Sequence, residues 1–142
     1  MEFQKILVPV VGTEADEEAI ELANRLLAKK EKGEIWAVHV ISVDRSLPVD
    51  AEIESEIRKA EDILSRIESV AEEHGFKIET DLLQAREAGP AIVDEAIERG
   101  ADLILIGLTY KRRFGEFSLG DVVPYVLKNA PCRVILYQQS VP

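Results

Sequence analysis

The chain predicts an α/β fold: a single-domain, three-layer α/β/α sandwich around a five-stranded parallel sheet in the order 3-2-1-4-5. Three observations carry this. Short apolar runs recur at Ile6–Val11, Ile35–Ile41, Leu103–Ile106 and Cys132–Tyr137, the pattern of strands buried on both faces. Segments with helical periodicity lie between them. The connections are long enough for right-handed crossovers, which demands parallel strands. No linker, repeat or low-complexity tract interrupts the 142 residues, so 1–142 reads as one domain.

Each element has its own signals. Ile6-Leu7-Val8-Pro9-Val10-Val11 is the first strand, with Pro9 near its end because proline cannot donate to a ladder. Thr13 or Asp16 caps the next helix, and Glu14, Asp16, Glu17 and Glu18 suit its positive end. Ala19, Leu22, Ala23, Leu26 and Leu27 form its inner stripe, Lys29, Lys30 and Lys32 its last turn, and Gly33 its stop. Ile35 to Ile41 is the second strand and Ser42 to Pro48 a loop. A long surface helix follows, with Ile53, Ile57, Ala60, Leu64, Ile67 and Ala71 on one stripe and Gly75 at its end. Lys77 to Leu83 is the third strand. Its charges at 77, 79 and 81 share one face, so it belongs at a sheet edge. Gly89-Pro90 opens a helix whose inner face is Ile92, Val93, Ala96 and Ile97. Leu103 to Ile106 is the fourth strand, Val122, Val123, Val126 and Leu127 line the last helix, and Cys132 to Tyr137 is the fifth strand.

Composition excludes several functions. The net charge of −10 argues against nonspecific binding to nucleic acid or to an anionic membrane. No apolar run reaches the roughly 18 residues of a membrane span. The N-terminal residues lead straight into a strand pattern without a signal peptide, and the single cysteine suits a reducing compartment, so the expectation is a cytoplasmic protein. His39 reads as a satisfied core histidine, His74 suits a helix C-terminus, and Cys132 reads as a small buried hydrophobe. Two histidines and one cysteine make a structural zinc site a poor expectation. No Gly-x-Ser-x-Gly elbow is present, and no catalytic residue is nominated. A phosphoacceptor domain needs acids after the first strand and an aspartate ending the third. The chain has Val10-Val11-Gly12 and Leu82-Leu83-Gln84 there. A flavodoxin needs a hydroxyl-rich loop where Gly12-Thr13-Glu14-Ala15-Asp16 stands.

In such a sheet a ligand sits beyond the carboxyl ends of the strands, at the point where the strand order reverses. With the order 3-2-1-4-5 that point lies between the first and fourth strands. It brings Pro9–Gly12 against Gly107–Lys111. Lys111, Arg112 and Arg113 are the only run of three consecutive bases. They either bind phosphate, as guanidinium groups do, or pair with Glu116 or Asp121. Gly107 is either part of a phosphate loop or a tight turn at a strand end. Gly120-Asp121 is either part of that loop or a plain helix start. Val134-Ile135-Leu136-Tyr137 is apolar on both faces at a sheet edge, which predicts a homodimer paired through this strand.

Five separated segments agree in order and spacing with one family. They are Lys5-Ile6-Leu7-Val8-Pro9-Val10, His39-Val40-Ile41, Gly107, Gly120 thirteen residues on, and Asn129-Ala130-Pro131-Cys132-Arg133-Val134. Over essentially the whole chain this resembles the universal stress protein family. The resemblance implies an adenine nucleotide alpha hydrolase-like sandwich, usually dimeric, with a role in stress response and no settled catalytic activity. Its ATP-binding members resemble one another in a Gly-x-x-Gly-x9-Gly-Ser/Thr loop and an aspartate just past the first strand. This chain keeps Gly107 and Gly120, but has Tyr110 for the second glycine, Asp121 for the Ser/Thr and Val11 for the aspartate. The implied adenosine side is Pro9, Val10, Val11 and Val40. The implied phosphate side is Ile106, Gly107, Tyr110, Gly120, Asp121 and Val122, with Lys111, Arg112 and Arg113 screening charge. ATP or AMP is the implied ligand, with Mg²⁺ only where ATP is bound. The other reading is a nucleotide-free dimeric module that regulates a partner protein such as a transporter or kinase. ATP hydrolysis is the weakest, because no general base can be named.

Overall fold

The computed structural model describes residues 2–29, 32–110 and 120–140. Its elements follow the expected order: β1 (Lys5–Pro9), α1 (Glu14–Leu26), β2 (Glu34–Ser42), α2 (Glu54–Glu73), β3 (Glu79–Ala85), α3 (Ala88–Arg99), β4 (Leu103–Tyr110), α4 (Val122–Asn129) and β5 (Arg133–Ser140). The strands form one sheet in the order β3-β2-β1-β4-β5, and every pairing is parallel.

Strand side chains alternate between faces, and the apolar runs therefore feed two cores. Ile6, Val8, Ile35, Ala37, Leu103 and Leu105 meet Ala19, Ile20 and Ala23 of α1 and Leu64, Ile67 and Val70 of α2. Leu7, Val38, Ile104 and Ile106 meet Ile92, Val93 and Ala96 of α3 and Val123 and Val126 of α4. Ile6, Leu7, Ile35, Leu103, Ile104 and Leu105 are fully buried, each stabilising the fold by about 1.5–3 kcal/mol relative to exposure.

Several elements depart from their sequence reading. Helix α1 ends at Leu26, well before the lysine cluster. The Phe3 N–H donates to the Leu26 carbonyl at 2.9 Å, and Leu27 turns into extended backbone bridging Phe3. A helix ends where another backbone takes over its last carbonyls. Gly33 is not a helix stop. A Cβ there would lie 2.5 Å from Leu27 Cγ, so its small size serves packing. Helix α2 begins at Glu54, after Ile53. Strand β3 starts and ends two residues later than expected and does lie at the edge. Ile97 faces outward at 58% exposure, and Leu127 at 51%. Both lie one helical step outside the stripe that meets the sheet. Strands β4 and β5 run past the apolar segments because they pair with each other over eight positions, from Leu103↔Arg133 to Tyr110↔Ser140. That ladder carries polar Thr109, Gln138 and Gln139.

At the end of the sheet away from the switch point, Arg99 lies 3.5 Å over the Trp36 ring. It sits between Asp81 and Glu95, at 2.9 Å from each. Burial pushes the Glu95 carboxyl up, with Arg99 opposing the rise.

Candidate functional site

The crevice originates in Pro9. The Val10 N–H donates to the Val38 carbonyl at 2.8 Å. Successive N–H groups of a strand point to opposite sides, so the Pro9 nitrogen, which has no hydrogen, faces β4. The β1–β4 ladder accordingly stops at Ile6↔Leu103 and Leu7↔Ile104, while β4 continues to Tyr110. Past that point β1 and β4 no longer pair, and the sheet parts at its carboxyl end.

On the β1 side, Pro9 and Val10 are buried and Val11 is 60% exposed. His39 Nδ1 lies 2.8 Å from the Val10 carbonyl. A carbonyl only accepts, so Nδ1 carries the hydrogen. His39 is half-buried and satisfied, as expected. Val40 is half-buried against the α3–α4 core.

The turn into α1 is organised by Asp16. Its carboxylate accepts from the N–H groups of Val11 at 3.1 Å, Gly12 at 2.6 Å and Thr13 at 3.1 Å. Gly12 has φ +96, a conformation that costs glycine little and other residues much. Thr13 is the N-cap residue of α1 and Asp16 is its N3 partner, whose carboxylate accepts the Thr13 N–H, and only 2% of Asp16 is exposed. Burial pushes its carboxyl above the ordinary range. The N–H groups of Gly12, Val11 and Thr13 and the nearby His39 oppose that rise.

On the β4 side, Gly107 is not at a strand end. It lies within β4, and a Cβ there would meet the Ala15 carbonyl oxygen at 2.5 Å and Ala19 Cβ at 3.1 Å. Its small size lets the start of α1 seat on the strand. Ile106 is buried on the opposite face. Tyr110 ends β4. Lys111, Arg112 and Arg113 lie outside the described residues. Gly120 takes φ +69 just ahead of α4, and Asp121 is the exposed N-cap residue. Its side chain makes no capping bond, because its backbone stays in the right-handed helical region. A capping side chain needs extended backbone to reach back to the first N–H groups. Val122, half-buried, is the first helical residue.

A cavity of about 390 Å³ opens beside this point, between Ser42 of β2, Gly89 and Pro90 of α3, and Asp121, Val122 and Tyr125. Arg86 forms part of its wall. Its guanidinium donates to the carbonyls of Asp44 and Leu47 at 2.6 and 2.7 Å, and Gln84 donates to those of Val49 and Ala51. Together they hold the β2–α2 loop against the sheet. Sequence reasoning nominated neither. The available signal was a long polar pair directly after an edge strand and before Gly89-Pro90.

The edge residues Val134, Ile135, Leu136 and Tyr137 are all half-buried on β5. Ile135 and Tyr137 face α1 and α2, while Val134, Leu136 and Cys132 face α3 and α4. The Tyr137 hydroxyl donates to Glu18 at 2.5 Å, which pushes the phenol up. Cys132 is half-buried, and burial pushes its thiol up. His74 follows α2 as its C-cap residue, with Nε2 2.7 Å from Glu21. Among the described residues no helix is long and apolar enough to cross a membrane.

Residues 2–138 match the model of the universal stress protein family. The chain belongs to this family. A universal stress protein of Methanocaldococcus jannaschii is 34% identical over 143 residues, covering 96% of this chain and 83% of that one. A universal stress protein of Synechocystis is 26% identical over 155 residues, covering 97% and 99%. Among solved structures, the universal stress protein from Archaeoglobus fulgidus in complex with dAMP superposes with a TM-score of 0.73 at 26% identity, covering 96% and 98%.

Proposed function

We propose that this universal stress protein binds an adenine nucleotide, or a related phosphate ligand, where β1 and β4 part, and serves in the stress response of the cytoplasm as a binding protein and not as an enzyme. The observation that carries the reading is the opening made by Pro9, in a fold that holds dAMP in the Archaeoglobus fulgidus relative. Exposed Val11 and half-buried Val40 offer apolar surface to the adenosine, with Pro9 and Val10 buried behind them. The backbone of Ile106 and Gly107 continues β4 beside them. Tyr110, Gly120, Asp121 and Val122 bound the phosphate end, with Lys111 to Arg113 following β4 in sequence.

The residues fit a ligand of low charge better than ATP. The first turn of α4 is not capped by Asp121, and its N–H groups favour an anion. The Asp121 carboxylate opposes added charge at the same place, and Val11 offers no hydrogen-bonding side chain to the sugar. AMP is therefore the favoured nucleotide, and Mg²⁺ would enter only with ATP.

The test is mass spectrometry of nucleotide carried through purification, followed by thermal shifts with AMP, ADP and ATP. A ligand at a hundred times its Kd stabilises by about 2.7 kcal/mol, or roughly 5–10 °C for a domain of this size. No shift with any of the three at millimolar concentration overturns the reading. The second reading, a nucleotide-free module acting on a partner protein, is favoured by one observation: Val11 stands 60% exposed at the mouth of the crevice.

A further inference from the structure

The loop between β1 and α1 has the form of an anion-binding nest. Gly12 at φ +96 turns three successive N–H groups, those of Val11, Gly12 and Thr13, onto one point. Such a concavity at a helix N-terminus holds phosphate when it is open. Here the point is occupied by Oδ2 of Asp16, and the shortest contact is 2.6 Å. The carboxylate is 2% exposed, and among the described residues no lysine or arginine forms an ion pair with it. Among the described residues its charge is met by backbone dipoles and by the neighbouring His39. Glu14 and Glu17 add negative charge on the same turn.

We propose that Asp16 sets the charge selectivity of the crevice: a fixed internal anion on the β1 side that directs the neutral end of a nucleotide toward Val11 and penalises each phosphate beyond the first. The proposal rests on the nucleotide-binding reading and deepens it. The three N–H groups that could receive a phosphate are spent on Asp16. An added phosphate charge therefore gains no donor there and meets repulsion in a partly desolvated site. At an effective dielectric between those of protein and water, each added phosphate is expected to cost about threefold in affinity, so the two that separate ATP from AMP cost roughly tenfold. The selectivity lies in the ratio between ligands and not in the overall strength of binding.

The test compares the affinities of adenosine, AMP and ATP in the wild type and in Asp16→Asn. The substitution keeps the shape and one acceptor oxygen and removes the charge. The expected result is a rise of about tenfold in the affinity for ATP relative to AMP, with adenosine least affected. A purely structural role for Asp16 would weaken all three ligands by the same factor, and that outcome overturns the proposal, as does an unchanged ratio. Should Asp16→Asn fail to fold, Asp16→Ser carries the same comparison. Failure of the wild type to bind any of the three sinks the nucleotide reading itself and this proposal with it. Binding by the wild type without a change of ratio sinks the proposal alone.

Discussion

Replacing Gly107 by alanine separates two roles for the same glycine. The added Cβ would lie 2.5 Å from the Ala15 carbonyl oxygen, 2.9 Å from its carbon and 3.1 Å from Ala19 Cβ. The first two are backbone atoms of α1, so no rotamer change relieves the clash. Reaching an ordinary contact near 3.5 Å requires α1 to withdraw by about 1 Å. The Gly12–Asp16 bond at 2.6 Å would stretch beyond hydrogen-bonding range if Asp16 moved that far with α1 while Gly12 stayed with β1. Overpacking of this kind costs about 1–3 kcal/mol, which lowers Tm by roughly 3–10 °C. The assay is thermal and urea denaturation of Gly107→Ala beside Gly120→Ala. Gly120 has φ +69, and a Cβ added to it would meet nothing within 4 Å among the described residues. Among the described residues its cost of about 1 kcal/mol is therefore set by backbone conformation. The Gly107 variant should be the less stable of the two and should lose stability even without ligand. An unchanged Tm for Gly107→Ala would refute the seating of α1 on β4.

Three further outcomes are expected. Arg86→Ala removes the bonds to the Asp44 and Leu47 carbonyls. Limited proteolysis should then cut within residues 44–50 at least several-fold faster, and equal cleavage rates would count against the latch. Ile97→Lys should change stability by no more than about 0.5 kcal/mol in urea denaturation, whereas Ile92→Ala, at a buried site on the same helix, should cost about 2–5 kcal/mol. We also propose that the chain dimerises through the outer edge of β5. Sedimentation at micromolar concentration should then show a dimer, and a strictly monomeric wild type would end that idea.

The architecture was legible because the information needed for it is local. Apolar runs, helical stripes and crossover lengths lie within short windows, and they fix a parallel sheet with right-handed crossovers, whereas the order 3-2-1-4-5 is a further expectation that handedness alone does not set. The switch point came with that order. What the sequence hid were contacts between distant segments. Gly107 looks like a loop residue until Ala15, from the far end of the chain, is placed against it. The end of α1 depends on Phe3 reaching Leu26. Asp16 was visible as a helix cap, but its near-complete burial beside the switch point follows only from the assembled sheet. The inner face of α3 departs from its sequence reading at Ile97, because an apolar residue one step off the stripe carries the same signal as one on it.

The stack of Arg99 on Trp36 decides what the protein's light emission can report. Trp36 is the only tryptophan, and it sits near the start of β2, paired in register with Leu7 and Glu79, at the opposite end of the sheet from the crevice. A guanidinium held 3.5 Å above the ring ties its emission to the docking of α3. Intrinsic fluorescence is therefore a probe of whether the α3 layer is in place, suited to following unfolding. Occupancy of the crevice calls for a label introduced near Val11, and a change in Trp36 emission on adding nucleotide would signal movement of a helix at the far end of the sheet.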